Sequence, residues 1–128
     1  MNKIFKKGFT LIELLVVIAI IAILISVGAV SYTRSLKLSR DSKRKTDLEQ
    51  IRQALETFRA ETGAYPTTGS WKSDLSTDSV YINAIPQDPK EDGLTYTYTY
   101  TRGATPTVYS LCATLLEVTN DDYCVTQP

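Results

Sequence analysis

One apolar run, unbroken from Leu14 to Ile25, limits most sharply what this chain can fold into. It is nearly continuous from Phe9 to Val30, diluted only by Thr10, Glu13, Ser26 and Gly28. A helix rises about 1.5 Å per residue, so this stretch is long enough to cross a hydrocarbon core of about 30 Å. Glu13 sits near its start. An ionised carboxylate in lipid costs roughly 2.5–3.5 kcal/mol even on the mildest scales, so Glu13 demands an explanation.

The chain has 128 residues, enough for one small domain plus a tail and not for two cores. It has no histidine. That removes His-based triads, His zinc sites and the commonest general base, and no other catalytic constellation is visible. The sequence therefore reads as a non-enzyme. The formal net charge is zero. Without Lys3, Lys6 and Lys7, 11 basic side chains face 14 acidic ones. No strong basic patch is left to suggest a specific nucleic-acid partner.

The apolar helix is predicted to continue past the membrane surface. Residues 31–45, SYTRSLKLSRDSKRK, contain neither Gly nor Pro. Leu48, Ile51, Leu55 and Phe58 then repeat at steps of three, four and three, which places them on one face, widened by Ala54. Glu49 with Gln53, and Glu56 with Arg59, are candidate surface pairs of small value. Gly63 is the expected stop, with Pro66 shortly after. One helix over residues 10–62 would be roughly 80 Å long. A domain of this size cannot bury all of it, so only an amphipathic part, about 40–62, lines a core. Gly28 marks a site for a bend or unwinding, since Gly weakens a helix interior by about 1 kcal/mol. The basic stretch 40–45, RDSKRK, reads as solvated, between membrane and domain, rather than as a DNA or lipid contact.

Residues 63–93 read as a connecting loop rich in Gly, Pro, Ser, Thr and Asp, with Trp71, Leu75, Tyr81, Ile82 and Ile85 as scattered anchors. Residues 94–101, LTYTYTYT, alternate strictly and predict a strand with Tyr96, Tyr98 and Tyr100 on one face. That face is expected to pack on Leu48, Ile51, Leu55 and Phe58. Residues 107–116 predict a second strand, with Tyr109, Leu111, Ala113 and Leu115 on one side. Tyr123-Cys124-Val125 predicts a short third strand. The expected fold is α+β: a long N-terminal helix, its first half transmembrane, and a small antiparallel sheet (94–126) across its second half. Neighbouring antiparallel strands would bring Cys112 and Cys124 within bonding range. Asp88, Glu91, Asp92, Asn120, Asp121 and Asp122 offer oxygen atoms to calcium. Their spacing matches no EF-hand loop, turn chemistry explains them equally well, and no cofactor is assigned.

The string KGFTLIELLVVIAIIAIL, residues 7–24, resembles the N-terminus of type IV pilins and of the pseudopilins of type II secretion and DNA uptake. The resemblance is strong over residues 6–31, moderate to Gly63 and weak beyond. It implies a leader, residues 1–8, cut between Gly8 and Phe9 by a prepilin peptidase. It implies N-methylation of Phe9, a filament-core helix over 9–31 and an extracytoplasmic domain over 32–128. Glu13 becomes the assembly residue, meeting the new Phe9 amine of a neighbouring copy. A pairing of Phe9 and Glu13 within one helix is also open, four residues apart. The implied partners are further copies of the chain, minor pilins, a platform protein and an assembly ATPase. The precursor is expected to be single-pass in the cytoplasmic membrane, and the product a surface or periplasmic filament. In a body that leaves the cytoplasm, Cys112 and Cys124 read as a disulfide, with free thiols as the alternative. A signal peptide explains the run poorly, because its apolar region would be shorter. A signal-anchored binding module that never polymerises is the rival, with Lys3, Lys6 and Lys7 kept inside. That rival leaves Gly8-Phe9 followed by Glu13 unexplained.

Overall fold

The computed structural model describes residues 8–77, 80–114 and 116–127, apart from the Val30 side chain. The expected leader up to Lys7, and the side expected of Leu115, lie outside these residues. Among the described residues the elements in chain order are α1 (Leu11–Thr62), α2 (Trp71–Ser76), β1 (Tyr98–Arg102), β2 (Tyr109–Ala113) and β3 (Tyr123–Thr126). This is the expected α+β fold, a long N-terminal helix followed by a small antiparallel sheet. The molecule divides into two compact units between Leu36 and Lys37.

The first unit is helical from Leu11, and α1 runs through Gly28 without a break. Its described side chains are exposed on every side of the helix. The second unit holds the core. Leu48, Ile51 and Leu55 of α1 are completely buried, as the three-and-four spacing predicts. α1 stops at Thr62 because Gly63 takes a left-handed φ of +83° and turns the chain. The Gly63 N–H still donates to the Arg59 carbonyl at 2.8 Å.

The sheet order is β1-β2-β3, antiparallel throughout. Tyr100 of β1 faces Leu111 of β2, which faces Val125 of β3. One side of the sheet presents Tyr98, Tyr100, Tyr109, Leu111 and Ala113 to α1. Fully burying side chains of this size contributes about 1.5–3 kcal/mol each. Two of the three phenols reach polar partners, while the buried Tyr109 hydroxyl has none among the described residues. Tyr98 donates to Asp47 at 2.9 Å and Tyr100 to the Pro66 carbonyl at 2.8 Å. Burial pushes the Tyr100 hydroxyl up to about 12.

Four expectations are corrected. First, the strand expected from residue 94 begins only at Tyr98. The Asp92 carboxylate accepts N–H bonds from Leu94, Thr95 and Tyr96, at 3.0, 2.7 and 2.9 Å, and folds residues 92–96 into a turn. Tyr96 leaves the core face and its ring lies beneath Arg44 and Lys90. Second, the region read as loop contains α2, whose Trp71 and Leu75 lie one turn apart and are both buried. Third, Glu49 pairs with Arg52 at 2.9 Å rather than with Gln53, because the guanidinium is the stronger partner. Glu56 accepts from Tyr65 at 2.8 Å, and Arg59 turns to the same phenol. Fourth, the basic stretch 40–45 is solvated only in part: Ser42, Lys43 and Lys45 are exposed, but Asp41 and Arg44 are buried.

That last correction is the largest. Arg44 is fully buried. Its guanidinium donates to both oxygens of Asp88, at 2.6 and 2.8 Å, and to Asp41 at 2.7 Å. Glu117 receives Arg40 at 2.7 Å, Lys90 at 3.1 Å and a longer contact from Arg44 at 3.4 Å. Three cations and three carboxylates thus close on one another. Asp41 further accepts the backbone N–H groups of Glu117 and Val118, at 2.9 and 3.0 Å. The loops at 88–90 and 117–118 are thereby tied to the first turns of α1 inside the second unit. Positions 41, 44, 48, 51 and 55 form one continuous inward stripe, apolar at one end and ionic at the other.

Candidate functional site

The stretch from Gly8 to Glu13 is where the sequence placed its chemistry. Gly8, Phe9 and Thr10 are not helical, and Phe9 is 86% exposed. The start of α1 is fixed by the pair Thr10 and Glu13. Glu13 Oε2 accepts from the Thr10 backbone N–H at 2.8 Å and from its hydroxyl at 2.7 Å. The Glu13 N–H in turn lies 3.3 Å from the Thr10 hydroxyl oxygen. This reciprocal capping box satisfies helix-terminal donors that would otherwise have no partner. The carboxylate also lies at the positive end of the helix dipole. Glu13 is therefore held by Thr10 within one chain and is not turned to the nitrogen of Phe9. The sequence signal for this was present as Thr-x-x-Glu ahead of an apolar run, and the reading of Glu13 as a charge partner alone overlooked it.

Beyond the cap, α1 shows an apolar surface whose described side chains are exposed. Ile12, Leu15, Ile18, Ile21 and Leu24 are all about half exposed or more. The most apolar 18-residue window has a mean hydropathy of 3.0 and none of it is buried. A surface of this kind is stable only in lipid or against other apolar helices.

Cys112 and Cys124 are bonded to each other, directly opposite across β2 and β3. They lie on the sheet face away from α1, so the bond fixes β3 to the sheet without entering the core. Two of the carboxylates considered for calcium, Asp88 and Asp92, have other engagements. Both Asp88 oxygens are on Arg44, and Asp92 is held by three backbone N–H groups that keep its carboxyl at about 2. Hydrogen bonds from Arg40 and Lys90 likewise hold Glu117 at about 2.

The known proteins that this chain resembles fall into one group. Residues 5–29 match the prokaryotic N-terminal methylation motif. Residues 30–127 match the family described as type IV minor pilin ComP, DNA uptake sequence receptor. Type II secretion system core protein G of Aeromonas hydrophila is 30% identical over 101 residues, covering 70% of this chain and 71% of that protein. Type IV major fimbrial protein FimA of Dichelobacter nodosus is 36% identical over 101 residues, covering 75% of this chain and 65% of FimA. Type IV major pilin protein PilA of Myxococcus xanthus is 37% identical over 60 residues, 47% of this chain and 27% of PilA. No solved structure matches. The apolar capped helix, the small antiparallel sheet and these likenesses, which together run nearly end to end, converge: the chain belongs to the family of type IV pilins and type II secretion pseudopilins.

Proposed function

We propose that this protein is a filament subunit, made as a membrane-anchored precursor and polymerised through the apolar part of α1. Residues 1–8 are the leader, cut between Gly8 and Phe9 by a prepilin peptidase, after which the Phe9 amine is methylated. Residues 9–31 span the membrane and later form the filament core. Residues 32–128 form the extracytoplasmic domain that coats the filament. The observation that carries this reading is the apolar, uncovered surface of α1 immediately after Gly8-Phe9. A surface that needs lipid in the precursor can exchange lipid for other copies of itself.

Cleavage gives Glu13 its second partner. Before the cut, the nitrogen of Phe9 is a neutral amide, and Thr10 covers the carboxylate. After the cut it is a cation, costly in an apolar core until a carboxylate meets it. The Glu13 of one copy against the Phe9 amine of the next neutralises both groups and sets the register of the array. A platform protein, an assembly ATPase and minor pilins complete the proposed machinery. The protein does no catalysis of its own.

The mass of the N-terminal peptide, taken from protein in its native membrane or surface fraction, tests this. A peptide beginning at Phe9 and carrying one added methyl group is expected. An intact Met1 start, in cells with an active prepilin peptidase, would leave a signal-anchored protein and overturn the proposal.

The match of residues 30–127 to a DNA uptake sequence receptor supports a second reading, in which the filament subunit binds DNA. Against it stand the 14 acidic residues that remain beside 11 basic ones after cleavage. Most of the arginines are also engaged within the chain, by Glu117, Asp88, Glu49 and Tyr65. Retardation of duplex DNA at physiological salt by the purified protein would favour this reading, and its absence would remove it.

A further inference from the structure

The two sulfurs of the disulfide are not alike. Cys124 is exposed, and Cys112 only partly so. Cys112 lies on the central strand β2, and Cys124 lies on β3 at one edge of the described sheet. Ser110, two residues before Cys112, shares its side of β2. The Ser110 hydroxyl is 3.5 Å from the Cys112 sulfur. A bonded cysteine sulfur carries no proton, so the hydroxyl donates and the sulfur accepts. Among the described residues no such donor accompanies the Cys124 sulfur.

These differences bear on thiol–disulfide exchange. A thiolate strikes a disulfide in line with the S–S bond, from behind the sulfur that it attacks. The bond joins directly opposed residues of β2 and β3. The approach to Cys124 is therefore from the edge of the sheet. The approach to Cys112 is from over β1, where Thr99 is paired opposite it. Exchange is faster when the departing sulfur makes the more stable thiolate. The hydroxyl on Cys112 strengthens its hydrogen bond as negative charge develops there. Access and leaving ability thus favour one direction.

We propose that Cys112–Cys124 is a directional exchange site for small thiols. Cys124 is the attacked sulfur, Cys112 the leaving one, and Ser110 the positioning residue that holds the departing thiolate. A bond forms between the incoming sulfur and Cys124 Sγ. The Sγ–Sγ bond breaks, and its electron pair goes to Cys112. A second thiolate then removes the first as a free disulfide and leaves Cys124 reduced. Two incoming thiols are oxidised, the protein disulfide is reduced, and the two thiol protons end on the cysteines. In reverse, Cys112 is the thiolate that closes the bond. The site stands on the sheet alone and does not depend on the filament reading.

The test treats the oxidised full-length protein in micelles with reduced glutathione and traps free thiols with N-ethylmaleimide during the reaction. Peptide masses then locate both groups. Glutathione should be found on Cys124 and the maleimide on Cys112. In denaturant, where the fold no longer distinguishes the two sulfurs, that bias should vanish. Ser110→Ala should slow opening severalfold. It should also move the pH profile of closure from the mixed disulfide to higher pH, because the Cys112 thiol then ionises less readily. Ser110→Thr, which keeps the hydroxyl, should restore both. Glutathione on Cys112, an even split in the folded protein, or a bias that survives denaturation would overturn the inference. So would a bond that glutathione fails to open, or a Ser110→Ala profile equal to that of the wild type. None of these outcomes bears on the N-terminal mass, which tests the filament reading separately.

Discussion

Two stretches of α1 obey opposite rules. From Leu11 to Val27 the helix carries large apolar side chains and exposes them. From Arg40 to Asp47 it carries charges and buries several, Arg44 completely. Neither stretch breaks the principle that surfaces are matched to their surroundings. The first finds no cover among the described residues, and its partner is lipid or another copy. The second has every partner within its own chain, with carboxylates arriving from residues 41, 88 and 117. A hydrophobicity count sees the first as core and the second as surface, and is wrong about both within the single chain.

The strongest way to break this comparison is to unpair the buried cations. Arg44→Ala leaves Asp88, Asp41 and Glu117 facing one another without their central guanidinium. Removing one partner from a buried pair costs about 3–5 kcal/mol, because the remaining charge is still desolvated. The full-length protein in detergent micelles should show a sharply lower melting midpoint for the sheet domain. The helical signal of residues 11–36 should persist, since detergent supplies what that segment needs. A melting midpoint equal to that of the wild type would mean that the ionic end of the stripe contributes nothing to stability.

Arg44 also shows why part of the molecule was legible in the sequence and part was not. Periodicity found Leu48, Ile51 and Leu55 because apolar residues at helical spacing have one plain meaning. The same stripe runs on through Arg44 and Asp41, but a charged residue at a core position gives no local signal. Its meaning depends on Asp88 and Glu117, 44 and 73 residues away in sequence. Alternation placed Tyr98 and Tyr100 correctly and overran at Leu94 and Tyr96. There a single upstream side chain, Asp92, captured the N–H groups that a strand would have used. The helix α2 is too short for its two apolar residues to register as a period. At the candidate site, Gly8, Phe9 and Glu13 were legible as a motif. The role of Thr10 was legible too, as the first letter of a capping box, but the membrane cost of Glu13 drew the reading to other partners.

The disulfide gives a second, smaller contrast. It closes a segment of 12 residues, worth about 3 kcal/mol in the chain-entropy account. Reduction of the full-length protein in micelles should lower the melting midpoint accordingly and release β3 first, which faster amide exchange at Val125 would reveal. β1 and β2, held to α1 by their tyrosines, should be lost only with the whole domain. Equal exchange at Val125 before and after reduction would show that its partly buried side chain, and not the bond, holds β3.

Acid sharpens the comparison by acting on the carboxylates that pair with the second stretch. Glu117 has its pKa held at about 2 by Arg40 and Lys90, below an ordinary value of 4.5. A group whose pKa is depressed by folding stabilises the folded state above its unfolded pKa. That contribution is lost as pH falls through the folded one. The melting midpoint of the sheet domain should therefore be insensitive to Glu117 ionisation above about pH 5, and fall between 4.5 and 2. Glu117→Gln should begin from a lower midpoint and lose part of that slope. A variant with the wild-type slope would place the acid sensitivity on other carboxylates, Asp92 among them.

The smallest expected effect tests whether the apolar stretch contains an internal polar contact of its own. Thr10→Val keeps the shape of the side chain and removes the hydroxyl that both donates to Glu13 and accepts from its N–H. The Thr10 backbone N–H can still reach the carboxylate, so the helix should not unravel. In micelles the Glu13 amide should exchange roughly fivefold faster, in line with the loss of one capping contact, and amides from Leu15 onward should be unchanged. An unaltered Glu13 amide would mean that the surroundings, rather than Thr10, hold the carboxylate in the isolated subunit. Faster exchange confined to the first turn would mean that the apolar stretch meets its one polar need internally and looks outward only for its apolar surface. The neighbour's Phe9 amine would then have to displace Thr10 to bind Glu13, so Thr10→Val subunits should assemble at least as readily as the wild type.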